Sequence, residues 1–469
     1  MFRRLWFFNF CLVLFCSLLS ACSTNDSKKT SPKLAIEEIE AHLSQEPLSI
    51  KNHWWDELED DQLNELIRLL LTSAPTATLA KNHIDTAEEI LNSEKSRLRP
   101  SLGLGGQAGN ERLSQNYMFI PGMPVTTSYG SVEASMNWSL DIWGKQQKVV
   151  DAAHLGLQST QAEAIFTQLW LTSTLVQVYS ELDSAWHRLE VANAKLNAYQ
   201  QLVEIANQRK QFGMIDDPRL NQTRMELDLA QVELNQAKVH QLVLQHQIAA
   251  MVGKGPTWGE SLKRPKLKGN FSEIPRSIPA NLISRRADLV ALNAQVKMSG
   301  LQFESAKLSY LPDISLQALI GYQAFDISKL MQDKSKQGSI APAFRVPLYE
   351  GGAIDALIGL KHSQLNEAIL NYNKAVLDAL KEAADELEKT TSAYENLQFI
   401  TNLHQHASQV HQSNQAKRML GIVSQEQLIR SVISDLNSQI QLSDARQQYI
   451  AEHVRLIQAL GGPFATQNP

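Results

Sequence analysis

The stretch SVEASMNWSLDIWG, residues 131–144, decides the fold because its side chains alternate between apolar and polar along the chain. The apolar side chains that would share one face are those of Val132, Ala134, Met136, Trp138 and Leu140. A period of two residues indicates a β-strand with one apolar and one polar face. Residues 145–212, which follow at once, contain no proline and a single glycine, and they predict one long helix. The sequence therefore joins a two-faced strand directly to a helix of about 100 Å.

The N-terminal residues have the features of a secretory signal. Two arginines precede an apolar run that ends at Leu19, and this run is too short for a membrane-spanning helix. The sequence LSAC that closes the run resembles the bacterial lipobox, which implies that residues 1–21 are removed and that Cys22 carries a covalent lipid. By resemblance to sorted lipoproteins, Ser23 in place of Asp after the lipidated position favours the outer membrane, and residues 22–60 are then a lipid-anchored N-terminal tether. The two other cysteines lie within the signal, so the mature chain has no cysteine left for a disulfide or a metal site.

Composition excludes several classes of protein. The chain has 469 residues, 43% of them hydrophobic, and a formal net charge of −5, so it can bury a large core and has no basic bias toward nucleic acid. Beyond the signal there is no further run of eighteen apolar residues, and no membrane-spanning helix is predicted. If this chain crosses a membrane, it must do so with strands.

The chain contains an internal tandem duplication. The segment SVEASMNWSLDIWGKQQ at residue 131 aligns with SIAPAFRVPLYEGGAID at residue 339, an offset of 208 residues. The same offset relates Gly213 to Gly421 and Gly253 to Gly461 without a gap. The boundaries that this repeat predicts are residues 61–260 for the first copy and residues 261–469 for the second.

Each copy predicts a strand hairpin followed by long helices. The hairpins occupy about 101–142 and 313–349, with strands at about 101–110, 129–142, 313–323 and 338–349. Strands of about ten residues are long enough to cross hydrocarbon when tilted. The helices have amphipathic rather than wholly apolar patterns, and they are predicted at about 78–98, 145–212, 219–252, 280–309, 353–420 and 424–460.

Four strands cannot form a closed structure in lipid by themselves. An open sheet would leave unpaired edges, and the smallest spanning barrels have about eight strands. Two, three or four copies of the chain would supply about eight, twelve or sixteen strands, and only the larger two barrels leave an aqueous lumen. The strand count therefore predicts an oligomer.

Two segments of the mature chain carry a resemblance to a known family. The segment WWDELEDDQLNELI begins at Trp54, and IPANLISRRADLVALNAQVKMSGLQFESAKLSYLPDISL begins at Ile278. In both, the chain resembles the TolC-like outer-membrane efflux family, most closely its lipidated, OprM-like (NodT-type) branch. The resemblance extends over essentially the whole mature chain.

This resemblance implies a fold and a function. The fold would be a homotrimer with a twelve-stranded transmembrane β-barrel continued by a long periplasmic α-helical barrel of coiled coils. The trimer would be a passive conduit in a tripartite efflux system, exporting drugs or other small toxic compounds without catalysis and without a cofactor beyond the lipid. Its partners would be a periplasmic adaptor (membrane fusion) protein, an inner-membrane resistance-nodulation-division or similar transporter, and outer-membrane lipid. No nucleic-acid partner is implied.

The resemblance also implies a gate at the periplasmic tip, where the family carries a glycine followed by small and acidic residues. Gly213 and Gly421 match, but Arg219 and Arg430 occupy two positions where the family has acids. The acidic residues here are Asp216, Asp217 and Glu426. In a trimer each becomes a ring of three charges, which predicts a gate of altered charge. The alternative is that the aspartates cap a helix while the arginines are solvated or pair locally.

Other functions remain open at this point. The same fold could serve type I protein secretion or metal efflux, and a lipoprotein of another class could be a structural coiled-coil spacer. His404, His406 and His411 could suggest a metal site, but the first two point to different helix faces, and we interpret all three as surface residues. There is no nucleophile elbow, phosphate loop or zinc helix motif, and no catalytic site is predicted.

Overall fold

The computed structural model describes residues 32–33, 50–112, 114, 126–268, 271 and 286–463. Its contacts divide the chain into two units, residues 1–33 and 34–469, and the fold below is that of the second unit. The predicted signal peptide and the predicted lipidation site at Cys22 lie outside the described residues.

The strands form one antiparallel sheet in the order β1–β2–β3–β4. Their bounds are β1 Ser101–Arg112, β2 Thr126–Leu140, β3 Asp313–Ala324 and β4 Lys336–Arg345. The predicted end of β4 at residue 349 is wrong by four residues. The first pair of the β3–β4 ladder joins Asp313 to Arg345, so β3 offers no partner to the residues that follow Arg345. Pro347 reinforces this end because proline has no backbone N–H to donate to a ladder.

The sheet has one apolar and one polar face, and the described residues leave both largely uncovered, apart from one end of β2 where Ile327 and Leu330 lie against Gly130. The β2–β3 register sets Val132 opposite Tyr322 and Met136 opposite Ala318, so the apolar sides of the two strands coincide. Large side chains on this face are well exposed: Leu102 (82%), Leu104 (80%), Ile320 (70%) and Phe344 (77%). The opposite face carries residues such as Glu133, Asn137 and Gln317. An apolar face of this size that remains exposed requires a partner or a lipid environment.

Eight α-helices are present in the described residues. Their bounds are α1 Asp61–Ser73, α2 Pro75–Ser96, α3 Lys145–Gln211, α4 Asp217–Met251, α5 Pro256–Gly259, α6 Ala287–Lys307, α7 Ala353–Met419 and α8 Gln425–Ala459. The predicted helix at 280–309 begins at Ala287, and residues 272–285 lie outside the described part of the chain. None of the described helices has both the length and the apolar character needed to span a membrane.

The duplication appears in the backbone itself. Helices α3 and α7 begin at residues 145 and 353 and end at 211 and 419, and α4 and α8 keep the same offset at both ends. Gly144 and Gly352, which precede the two long helices, have φ of 73° and 86°. Side chains other than glycine rarely adopt this left-handed conformation. The predicted internal duplication is therefore confirmed.

The helices form a wall in which α3 is interior and α7 lies at one side. Next to the sheet, α3 packs between α2 and α6, and α6 packs against α7. Farther from the sheet, α3 packs between α4 and α8, and α8 packs against α7. The largest apolar core lies midway along α3 and includes Leu66, Tyr179 and Ile248 from three different helices. Helix α3 therefore organises the whole wall.

Candidate gate at the helical tips

The two helix-to-helix turns farthest from the sheet are built alike. Gly213 and Gly421 have φ of 66° and 74°, and each follows the end of a long helix. The next amide closes the turn in both: Met214 N donates to Arg209 O at 2.8 Å, and Ile422 N donates to Lys417 O at 2.9 Å. Glycine suits this position because the left-handed conformation costs it nothing. The predicted breaks at both glycines are confirmed.

Both returning helices begin at a side-chain cap. The Asp216 carboxylate accepts the N–H of Arg219 at 3.1 Å, and the Ser424 hydroxyl accepts the N–H of Gln427 at 3.1 Å. Asp217, next to the first cap, forms an ion pair with Lys210 across the turn. Both predicted aspartates therefore have roles inside their own turn, as an N-cap and as a local ion-pair partner.

Glu426 is the centre of a charged cluster that joins the two turns. Arg430 Nε donates to Glu426 Oε1 at 3.1 Å, and Arg209 on α3 donates to Oε2 of the same carboxylate. Arg219 Nη2 lies 4.0 Å from Glu426 Oε1, and Glu226 on α4 lies 3.6 Å from Arg430 Nη1. The structure thus brings the predicted residues Arg219, Glu426 and Arg430 together. Within one chain, the arginines pair locally with acids of α4 and α8.

Glu426 carries its negative charge at neutral pH. Burial would raise its pKa, but the hydrogen bond from Arg430 and the charge of Arg209 outweigh burial and hold the pKa below its usual value. Three guanidinium groups surround this carboxylate, and Glu226 is the second acid in the cluster. The cluster therefore has a net positive charge.

Each turn also presents large apolar side chains that the sequence analysis did not single out. Phe212 and Met214 flank the first glycine and are 75% and 70% exposed, while Leu420 and Ile422 flank the second and are 75% and 67% exposed. The sequence could have predicted these apolar tips, because when Gly213 and Gly421 are aligned, apolar residues stand on both sides of each glycine. Apolar side chains concentrated at a tip indicate a contact with another molecule.

His404, His406 and His411 of α7 do not form a metal site in the described part of the chain. Among the residues that the structure describes, no group of three or more His, Cys, Asp or Glu side chains could hold a metal ion. The interpretation as surface residues is wrong for two of them, since His404 and His411 are half-buried and contact Ser438 and Ser431 on α8. His406 is exposed, as predicted.

Arg286, which belongs to the segment that carries the resemblance, is a buried structural residue. Its guanidinium binds Asp288, Glu382 and the carbonyl oxygen of Ala459 at the end of α8. It therefore fastens the start of α6 to α7 and α8 where the stacked helices meet. Burial would lower the pKa of Arg286, but its two carboxylate partners outweigh burial and raise it.

Comparison with known proteins identifies the family that shares this architecture. A family model described as "Outer membrane efflux protein" matches residues 66–254 and 278–462. "Multidrug resistance outer membrane protein MdtQ" of Escherichia coli O157:H7 is 24% identical over 437 residues, which cover 89% of this chain and 90% of MdtQ. "Fusaric acid resistance protein FusA" of Burkholderia cepacia is 26% identical over 313 residues, which cover 65% of this chain and 59% of FusA.

Solved structures give the same result. The outer membrane protein VceC of Vibrio cholerae has a TM-score of 0.79 and 25% identity, covering 89% of this chain and all of VceC (100%). The CmeC outer membrane channel of Campylobacter jejuni has a TM-score of 0.83 and 20% identity, covering 94% of each chain. The predicted fold class, that of the TolC-like channels, is confirmed by these likenesses. The chain belongs to the outer membrane efflux protein family and is the outer-membrane channel component of an efflux system.

Proposed function

We propose that this chain assembles as a homotrimer that exports drugs or other small toxic compounds through the outer membrane, together with a periplasmic adaptor and an inner-membrane resistance-nodulation-division or similar transporter. The observation that carries the proposal is the sheet with one apolar and one polar face, both largely exposed, joined to described helices none of which is long and apolar enough to span a membrane. The conduit is passive, and its partners supply the energy.

The sheet supports both membrane insertion and trimer formation. Its apolar face suits hydrocarbon, and its polar face suits a water-filled lumen. Strands β1 and β4 are the free edges of the sheet within one chain. Pairing β4 of one copy with β1 of the next would remove every edge, and three copies give about twelve strands, enough for a lumen.

The helices support the same closure. On α4, the side chains of Met225, Leu229, Val232, Val239 and Val243 are between 50% and 67% exposed and follow a heptad-like spacing. On the tip half of α7, which lies at the opposite side of the wall, Phe399 and Val410 are similarly exposed, at 68% and 56%. Packing α4 of one copy against α7 of the next would bury both apolar stripes and close a ring of identical contacts.

The tips support an adaptor as the periplasmic partner. Phe212, Met214, Leu420 and Ile422 would occupy apolar recesses of an adaptor. In a trimer, the two turns of each chain give a ring of six such contacts. We therefore place adaptor docking at the turns around Gly213 and Gly421.

We also propose that the tip cluster is the gate of the channel. Arg209, Glu426 and Arg430 link the two helix pairs of one chain, so the tip cannot open without rearranging these ion pairs. In a trimer, Asp216, Asp217, Arg219 and the cluster become three-fold rings of charge. The net positive charge of each cluster supports the altered charge that Arg219 and Arg430 predict.

Anchoring through a lipid on Cys22 is proposed from the lipobox alone. A Cys22→Ser variant should lose incorporation of labelled palmitate while the wild type is labelled. Labelling of the variant at the wild-type level would contradict the anchor.

The cargo class follows from the relatives. MdtQ and FusA are named for multidrug resistance and for fusaric acid resistance, and small toxic compounds are the class that the two names share. A coiled-coil spacer, the alternative from another class, does not account for a sheet with a bare apolar face.

Export in cells tests the proposal. A strain that lacks the gene should accumulate a fluorescent drug, and the wild-type gene should restore low accumulation. Leu229→Asp places a charge in the exposed α4 stripe and should abolish rescue, whereas Lys238→Asp on the exposed side of the same helix should rescue. Equal accumulation with and without the gene, for each drug tested, would contradict a drug-export function.

A further inference from the structure

The second helix pair contains a long stretch that is almost free of fixed charge. Residues 396–416 of α7 include no Asp, Glu, Lys or Arg, and their only ionisable side chains in the acid-to-neutral range are His404, His406 and His411. On the facing helix α8, Asp435 is the one charged residue between Arg430 and Asp444. Protonation of a histidine here therefore changes the local charge by a large fraction.

His404 and Asp435 face each other across the α7–α8 contact. His404 Nδ1 lies 2.8 Å from Ser438 Oγ and 3.8 Å from Asp435 Oδ1. The Ser438 hydroxyl donates to the Asp435 carbonyl oxygen at 2.6 Å, so its oxygen must accept from His404. This assigns the proton of the neutral imidazole to Nδ1 and leaves Nε2 free to take up another.

The Asp435 carboxylate is only half satisfied. Its Oδ2 accepts from Gln439 Nε2 at 2.9 Å, but its buried Oδ1, the oxygen nearest to His404, has no hydrogen-bond partner among the described residues. The carboxylate side chain is 14% exposed, so solvent screens it weakly. A positive charge on His404 would compensate this oxygen, which a neutral imidazole does only in part.

At the equivalent positions the first helix pair has no such arrangement, and its own histidine–carboxylate contact, from His240 Nε2 to Glu181 Oε1 at 3.3 Å, lies farther from the tip. At the offset of 208 residues, His404 corresponds to Leu196, Asp435 to Leu227 and Ser438 to Ala230. The α3–α4 pair is joined nearby by the fixed charges of Lys195 and Glu233, which form an ion pair. Residues 188–204 and 222–234 around this ion pair contain no histidine, so their packing should not respond to pH between 8 and 5.5.

We propose that His404 and Asp435 form a proton-operated clamp between α7 and α8. Uptake of one proton at His404 Nε2 keeps the donation from Nδ1 to Ser438 and places a cation beside the Asp435 carboxylate. The α7–α8 contact at His404 then holds more tightly at acidic pH, while the equivalent contact around Lys195 and Glu233 does not change. The efflux channel would thereby have, in each chain, one pH-responsive contact whose equivalent in the first repeat does not respond to pH.

The other ionisable groups near this contact are few. Asp183 and His187 on α3 and Arg446 on α8 line the groove that His404 also lines, and Arg264 and Lys268 lie at its end. His411 is seven residues nearer the tip on α7, and its Nδ1 lies 3.4 Å from Ser431 Oγ. Asp435 is the sole acid within ion-pair distance of His404 in the described part of the chain.

Hydrogen–deuterium exchange of the full-length protein in detergent tests the clamp. After correction for intrinsic exchange, amides of residues 396–412 and 430–442 should open about five-fold less often at pH 5.5 than at pH 8, the scale of a modest ion pair. Residues 188–204 and 222–234 of the first pair serve as the reference within the same molecule. His404→Leu copies the first repeat and should remove the pH effect.

Two further variants keep the test decisive. Asp435→Asn preserves the shape of the side chain and should also remove the effect, which covers the case in which His404→Leu fails to fold. His406→Gln removes an exposed histidine on a different face of α7, and this variant should behave as the wild type. The clamp is refuted if the wild-type second pair opens as often or more often at pH 5.5, or if Asp435→Asn retains the wild-type response.

Discussion

The α3–α4 and α7–α8 pairs have the same helix lengths and the same turns, but their long helices bury very different numbers of side chains. Helices α3 and α7 each have 67 residues, yet 22 side chains of α3 are buried and only eight of α7. The reason is position, because α3 packs between neighbours on both sides of the wall and α7 lies at its edge. Duplication thus kept the backbone plan, and the place in the wall decided which side chains became core.

The largest expected difference comes from a matched pair of core positions. Leu202 on α3 is 2% exposed and packs against Ile429 and Ile433, whereas its equivalent Val410 on α7 is 56% exposed. Leu202→Ala should lower the free energy of local unfolding by about 2–5 kcal/mol, because it leaves a cavity. Val410→Ala in a monomeric, detergent-solubilised sample should change it by no more than about 0.5 kcal/mol.

Hydrogen exchange of the amides around residue 202 of α3 and residue 410 of α7 measures both effects. Equal destabilisation by the two substitutions in the monomer would contradict the interior position of α3. In the assembled trimer, Val410→Ala should become costly if α7 packs against α4 of the next copy.

A pH-dependent contact lies where the stacked helices meet. His453 on α8 is 6% exposed and stacks on Phe271 with ring centroids 4.2 Å apart. Burial lowers the pKa of His453 to about 4, which the charge of Glu57 opposes only in part. The folded chain therefore holds His453 neutral, while the unfolded chain takes up a proton near the ordinary value of 6.5.

The contribution of neutral His453 to the free energy of unfolding should be fully present above pH 6.5. It should fall as the pH drops toward 4, by about 3 kcal/mol at pH 4. The equivalent residue of the first repeat is Gln245, whose amide donates to the Leu262 carbonyl oxygen at 3.3 Å. His453→Gln copies that residue and should flatten the pH dependence of exchange in residues 449–459. An unchanged slope in the variant would contradict the assignment.

The third prediction tests the link between the tips. Glu426→Gln removes the charge that Arg209 and Arg430 share, and should weaken the link by about 1–3 kcal/mol. Because the pKa of Glu426 is lowered in the folded chain, its contribution is present above pH 4.5 and is lost as the pH falls through the lowered pKa.

The amides of residues 419–428 should therefore open more often in the variant than in the wild type at neutral pH. In the wild type they should open more often only at acidic pH. Glu204→Gln, an exposed acid of α3 outside the cluster, is the matched control. Identical exchange in Glu426→Gln and the wild type would show that the link does not hold the tips together.

The smallest expected effect is on ion selectivity. Arg219→Asp and Arg430→Asp reverse charges that would form rings at the gate, and each should shift single-channel selectivity toward cations. Arg224→Asp changes an exposed arginine that contacts Asn207 rather than the cluster, and should have less effect. An unchanged cation preference in both cluster variants would eliminate the altered-charge gate and leave local pairing as the role of these arginines.

Sequence alone predicted the parts of the fold that depend on local chemistry. Gly213 and Gly421 end helices because only glycine accepts their backbone, and the alternation around Met136 is a property of one strand. Partners that lie far apart along the chain were not predictable in this way. Arg209 binds Glu426 from 217 residues away, and no spacing rule connects them.

The attachment of α1 is a second example. Asp60 caps this helix and also accepts the hydroxyl of Tyr179 at 3.0 Å and the amide of Lys266 at 2.6 Å. The motif around Trp54 indicated a family and not these contacts, because a resemblance does not state which partners a side chain meets. The same limit explains why His404 was interpreted as a surface residue.

Conductance in planar bilayers, with the mass of the same purified sample measured by light scattering, tests the central claim most directly. Trimers that insert and, once the tip link is removed by Glu426→Gln, give larger discrete current steps than the wild type would establish a channel gated at its tips. A stable monomer that never inserts, or a trimer that conducts equally with and without the link, would contradict this account.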